Sequence, residues 1–196
     1  MINKYDYVWF PDDDLWLHQK DLECYLDMCR EHQFVISQPS LMKGSFYTWK
    51  ITLQNCLANY RETDFVEVMA PCFKVDRFDL FATTFEENTS GWGLEWLWWK
   101  IAQEHSCGNF VIVDKVSMLH TREVGVANSG GAKKSPYEEE SDLLKKYGLK
   151  KWSPRDIRLE RKNFWLQIEQ IFPIKPIKKY CKRHLRDLIY SSKRFL

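Results

Sequence analysis

Three consecutive aspartates, Asp12, Asp13 and Asp14, follow an aromatic, apolar run near the start of the chain. Asp12 and Asp14, separated by one residue at a strand end, can turn both carboxylates to one divalent cation, Mn or Mg. Such ions take hard oxygen ligands and keep positions open for phosphate. A cation held there can bridge a nucleotide diphosphate and neutralise the charge that develops as it departs. The same triplet also suits a polar turn or a helix cap, and local sequence leaves both readings open. The second chemical feature is SGWGLE, residues 90 to 95. Two glycines let the backbone turn tightly there, and the helix dipole favours Glu95 in the first turn that follows. Glu95 sits among Trp92, Trp96, Leu97, Trp98 and Trp99, where an unpaired charge is costly, so it needs a partner or a task. His120 is the third. It closes an apolar run just before Thr121 and Arg122, and reads either as a ligand or as an ordinary packed histidine.

These groups need elements to position them. Tyr5 to Phe10 reads as a buried strand stopped by Pro11 and the aspartates. Leu22, Tyr25, Leu26 and Cys29 recur at helical spacing within 18–32, and 34–37 then reads as a strand. An extended aromatic segment is expected at 46–51 and a strand at 65–73, with Asp76 capping a helix through Phe85. The loop 86–93 opens a helix near Leu94 that is apolar around most of its circumference and so should be buried on nearly all sides. Phe110 to Val113 and Val116 to Leu119 read as two strands, the second ending at His120. Residues 127–136 have loop composition, and 138–147, 154–171 and 176–192 read as helices, with Pro173 and Pro176 separating the last two.

At 196 residues the chain can bury roughly two-thirds of the surface its unfolded form exposes. Hydrophobic residues are 44% and charged residues 29%, a globular balance rather than a disordered one. A net charge of +2 gives no general pull toward nucleic acid. The charge is uneven, however: residues 175–196 carry eight Lys and Arg against one Asp. This basic, partly apolar segment suits a solvated helix packed on the core, or a peripheral contact with an anionic membrane. The six cysteines show neither a CxxC pair nor zinc-type spacing, so reduced, mostly buried thiols are expected. Neither a signal peptide nor a run long enough to span a bilayer is visible, which makes a cytoplasmic location the expectation.

The order of these features, a DxD at a strand end, a turn with a carboxylate at a helix start and a late strand-end histidine, resembles the GT-A glycosyltransferases. More closely, YDYVWFPDDDL, DFVEVMAPCF, SGWGLEWLWW and VIVDKVSMLHTREVGVANSGG resemble a GT-A-like family labelled lysine-ketoglutarate reductase trans-splicing related, over about residues 4 to 131. The resemblance implies an α/β fold: a partial GT-A-like mixed sheet flanked by helices, with a helical C-terminal extension. It divides the chain into a metal and acceptor half-domain (1–126), a flexible loop (127–137) and a basic helical extension (138–196). It also implies a metal-dependent transferase that moves a sugar from a nucleotide-sugar to an acceptor hydroxyl. In it Asp12, Asp14 and His120 hold Mn or Mg, and Glu95 is the catalytic base if the anomeric carbon inverts. Asp13, Glu67, Trp92, Gly93, Trp96 and Lys133 fall on the substrate side, with Trp92 and Trp96 placed to stack on sugar, core packing being the leading role for Trp96, Trp98 and Trp99, and with Lys133 and Lys134 either closing over diphosphate or simply solvated. The family more often has Asp where Glu95 stands. A GT-A fold also places a nucleotide-binding βαβ half before the DxD strand, so that half is expected from a preceding segment or another chain. The alternatives are a non-catalytic carbohydrate-binding or scaffold protein and a DxD phosphatase of the haloacid dehalogenase type. The phosphatase family has Thr or Val where this chain has Trp16.

Overall fold

A computed structural model of the chain describes residues 2–123 and 134–162. In chain order these form β1 (Tyr7–Trp9), β2 (Leu15–Trp16), α1 (Gln19–His32), β3 (Ile36–Leu41), β4 (Ala58–Thr63), β5 (Cys72–Lys74), α2 (Val75–Ala82), α3 (Leu94–Glu104), β6 (Phe110–His120), α4 (Pro136–Lys146) and β7 (Asp156–Arg161). Short 3-10 turns occur at Ile2–Lys4, Lys50–Thr52 and Thr83–Glu86. All of these elements lie in one unit that ends at Arg161.

Six strands lie in the order β1-β5-β3-β6-β4-β7, and β2 pairs with the far end of β6. Among the described strands β3 and β6 run parallel and the other pairings are antiparallel. Side chains alternate across a strand, and this alternation builds the layers. Cys72 joins Tyr25, Met28 and Cys29 of α1, whereas its neighbour Phe73 joins Phe81 of α2, Leu97 and Trp98 of α3 and Leu143 of α4. Phe110 and Val111 of β6 divide in the same way. The result is an open mixed sheet with α1 on one face and the other three helices on the opposite one. No helix among the described residues is long and apolar enough to cross a membrane.

The helices over 19–32 and from Leu94 fall where apolar spacing predicts them, and Leu94 to Trp98 are buried throughout. Several expectations are corrected. Residues 110–120 form one strand rather than two, because the polar break at Asp114 is no turn: Asp114 is buried against Arg61, with Nε–Oδ2 at 2.7 Å and Nη2–Oδ1 at 3.0 Å. That same pair hid β4, whose inward face carries the arginine. The apolar stretch 65–73 is a strand only from Cys72. Before it the chain turns, with the amide of Glu67 donating to the Gln38 side chain and the amide of Ala70 to the carbonyl of Glu67. Residues 46–51 form no strand. Lys74, not Asp76, is the cap residue of α2, and α2 ends at Ala82 before a 3-10 turn. Residues 156–161, expected in a helix, are an edge strand whose hydrogen-bonded neighbour is β4. The helix α4 and this strand therefore belong to the sheet's own unit, so the described part of 138–196 is not a helical extension. Cys29 and Cys72 are buried free thiols, but Cys56 is exposed. Of the expected loop 127–137, residues 127–133 lie outside the described residues, as does the helix 176–192, while Pro136 and Tyr137 form the first turn of α4 rather than loop.

Candidate metal and acceptor site

Backbone pairing brings Asp14 to His120. Leu15 lies opposite His120 and Trp16 opposite Leu119. Thr121 then gives both its amide (3.1 Å) and its hydroxyl (2.8 Å) to the Asp14 carbonyl. On the other side the Asp12 amide donates to the Met69 carbonyl at 2.8 Å, so the acidic turn is tied to two separate parts of the fold.

His120 is fixed by a loop that local sequence did not flag. Its amide donates to Ser45 Oγ at 3.2 Å, and Nδ1 lies 3.0 Å from the Phe46 carbonyl. A carbonyl only accepts, so Nδ1 carries a proton, and Nε2 is the nitrogen left to meet a ligand, as in a metal-binding histidine. That Nε2 lies 3.3 Å from Asp14 Oδ2. Arg122 reaches the same oxygen through Nε at 3.3 Å and holds Asp13 Oδ1 through Nη2 at 2.6 Å. Asp14 Oδ1, by contrast, is buried and finds no hydrogen-bond partner among the described residues. Burial, and then the neighbouring Asp14 charge, push the Asp12 carboxyl up to about 6, against the pull of His120 and Arg122.

Among the described residues no group of three or more His, Cys, Asp or Glu side chains is gathered to hold a metal. Asp14 and His120, which do meet, would supply two ligands to a cation that takes the others from phosphate and water. The orphaned Asp14 Oδ1 is the atom such a cation would satisfy.

A second acidic group adjoins the first. Glu67, 4% exposed, has an Oε2 with no partner among the described residues. Burial, then the charge of Glu95, push its carboxyl up to about 8; the Thr48 and Thr52 hydroxyls oppose the shift and Asp12 adds to it. Burial also lifts Glu95, to about 7, against backbone hydrogen bonds that include Gly93 N–H to Oε2 at 3.0 Å; Glu140 raises it further. The carboxyls thus form an electrostatic chain in which Asp14 acts on Asp12, Asp12 and Glu95 on Glu67, and Glu140 on Glu95.

The remaining expected residues divide. Trp96 is 1% exposed and packs on Phe65, Trp49 and Trp152, so it is core rather than a sugar platform. Trp92 is half-buried, edge-on to Tyr137 at 4.9 Å. Gly93 has φ 94°, and a Cβ there would stand 3.1 Å from Glu140 Cγ and Leu143 Cδ2, which explains the glycine by backbone and packing. Asp13 is an exposed partner of Arg122. Lys133 lies outside the described residues, and Lys134 is paired with Asp142 at 2.7 Å. A concavity of about 510 Å³ lined by Tyr5, Arg30, Lys74 and Asp79 opens elsewhere. Its cations are already paired, Arg30 with Asp6 and Asp27, and Lys74 with Asp76.

The fold and site define a mixed α/β protein with an acidic, histidine-backed strand end beside buried carboxyls. The chain belongs to the family described as protein of unknown function (DUF707), whose model matches residues 1–163. Searches of curated proteins and of solved structures returned no match.

Proposed function

We propose that this chain serves a divalent-metal-dependent glycosyltransferase, moving a sugar from a nucleotide-sugar to an acceptor hydroxyl in the manner of the GT-A-like enzymes its motifs resemble. The observation that carries the reading is the convergence of Asp14 and His120, 106 residues apart, with an unsatisfied Asp14 Oδ1 beside them. Asp12, Asp14 and His120 would hold Mn or Mg, which supplies Lewis-acid stabilisation of the departing diphosphate. His120 is oriented for that task by Phe46, and Arg122 keeps the acidic turn neutralised until a ligand arrives. In an inverting transfer the acceptor O–H bond breaks and its proton passes to Glu95, whose raised affinity for protons suits a base working near neutral pH. The acceptor oxygen bonds to the anomeric carbon as that carbon's bond to the diphosphate oxygen breaks, the electron pair leaving with the nucleoside diphosphate. Glu67, protonated at neutral pH, offers its free oxygen to an acceptor hydroxyl.

Binding of Mn²⁺ to the full chain, followed by loss of the free-ion electron paramagnetic resonance signal and by calorimetry with uridine or guanosine diphosphate, tests this directly. Saturable Mn²⁺ binding that is lost in Asp14→Asn is expected. Equal binding by Asp14→Asn and wild type refutes the assignment. The Arg122 contacts with Asp13 and Asp14 favour one second reading, a carbohydrate-binding protein whose cation site is closed by an arginine. In that case Arg122→Ala gains Mn²⁺ binding that the wild type lacks.

A further inference from the structure

A ring that stacks on a sugar must expose a face. Trp96 does not, and Trp92 is half-buried and packed against Tyr137. Two aromatic side chains on the loop that holds His120 are open to solvent: Phe46 is 46% exposed and Tyr47 47%. Their place in the chain is defined on both sides. Ser45 and the Phe46 backbone hold His120: Ser45 Oγ accepts its amide, the Phe46 carbonyl takes the ring N–H, and the Phe46 amide donates to the His120 carbonyl at 3.2 Å. Thr48 lies against the Glu67 carboxyl, and Trp49 packs edge-on to Trp96 with centroids at 5.7 Å. Phe46 and Tyr47 therefore lie between an anchor on the metal side and an anchor on the acceptor side. From residue 45 to residue 48 the chain spans at most about 10 Å, so the two anchors are no further apart along the backbone than that.

We propose that Phe46 and Tyr47 form the stacking face of a subsite for a neutral hexopyranose ring, lying between the Asp12–Asp14–His120 site and Glu67, with Glu67 Oε2 taking a ring hydroxyl. Aromatic faces attract the C–H side of a pyranose while its edge keeps its hydrogen bonds. The buried, unpartnered Glu67 Oε2 supplies the polar contact that such a site needs. The neighbouring aspartates and glutamates disfavour an anionic ring. A cation over aromatic rings is the other ligand such walls attract, and its binding is a separate outcome of the experiment. Calling this ring the acceptor rests on the transferase reading; the stacking subsite itself does not.

Saturation-transfer difference NMR on the full chain, with methyl glucopyranoside, galactopyranoside, mannopyranoside and xylopyranoside as probes and choline as the cationic control, decides the matter. At least one glycoside should take saturation on its ring protons, with affinity falling about tenfold or more in Phe46→Ala/Tyr47→Ala. The same loss should appear in Phe46→Leu/Tyr47→Leu, which keeps apolar bulk but has no aromatic face. Mn²⁺ binding should survive in the single variants Tyr47→Ala and Tyr47→Leu, which leave Phe46 and its contacts with His120 unchanged. Absence of saturation transfer to every glycoside, glycoside binding unchanged by either double variant, or preferential binding of choline overturns the subsite. Mn²⁺ binding without glycoside binding would sink the subsite and leave the transferase reading standing, and the converse pattern would sink that reading alone.

Discussion

Glu67→Gln should make the protein less sensitive to rising pH, by an amount the buried carboxyl sets. The unfolded chain holds this group near 4.5, and burial beside Glu95 moves it to about 8 in the fold. The folded state therefore binds the proton more tightly. Its contribution to stability is fully present below pH 4.5 and is lost as pH rises through 8. Each pH unit of that window is worth about 1.4 kcal/mol, so wild type should lose about 3 to 4 kcal/mol from this group between pH 5 and pH 8. Glutamine matches the protonated acid in shape and cannot ionise, which removes the loss. Glu95 and Asp12 shift in the same direction and remain in both proteins, so the difference between the two reports Glu67 together with its charge coupling to them. Urea unfolding of both at pH 5 and pH 8, with EDTA present, gives the comparison. Wild type and Glu67→Gln should be close at pH 5, with the variant ahead by about 3 kcal/mol at pH 8. Parallel stability curves would refute the claim that this carboxyl is held protonated in the fold.

Two further outcomes follow from packing and charge. Gly91→Ala places a Cβ 2.7 Å from Val68 Cγ2 at φ 77°, and should cost about 2 kcal/mol in a thermal or urea melt. Adding Val68→Ala relieves the clash but not the backbone strain, so it restores part of the loss. Arg61→Met leaves Asp114 buried without its bidentate partner and should cost about 3 to 5 kcal/mol, whereas Arg61→Met/Asp114→Leu should recover most of that; a double variant no better than the single would contradict this.

The part of the fold legible in sequence was the part governed by local pattern. Helices α1 and α3 announce themselves by apolar spacing, and the strand leading to the aspartates by an abrupt change from aromatic to acidic. What was hidden depends on partners distant in sequence. Arg61 and Asp114, 53 residues apart, look like surface charges until the fold closes them on each other. Strand β7 reads as helix because its burial is slight and its partner strand β4 lies far back in the sequence. Within the site, three aspartates and a histidine were visible as chemical types. Ser45 and Phe46, which orient that histidine, carry no local signature, and of the two roles open to Trp96 its burial at 1% exposure leaves core packing rather than stacking.

The register of β6 shows how such hidden constraints reach the site. Pro39 lies opposite Val113 and has no N–H to give the ladder. The next pair is Ser40 with Ser117, so β6 spends three extra residues, Asp114 to Val116, while β3 advances by one. Ser40 Oγ closes the irregularity by donating to the Val116 carbonyl at 2.9 Å. Asp114, within the excursion, is taken up by Arg61. Without those extra residues the C-terminal part of β6 would reach further along β3, and His120 would no longer fall opposite Leu15 with Asp14 beside it. The buried ion pair thus has a consequence beyond its own region: it accommodates the excursion that sets where the histidine meets the acidic turn.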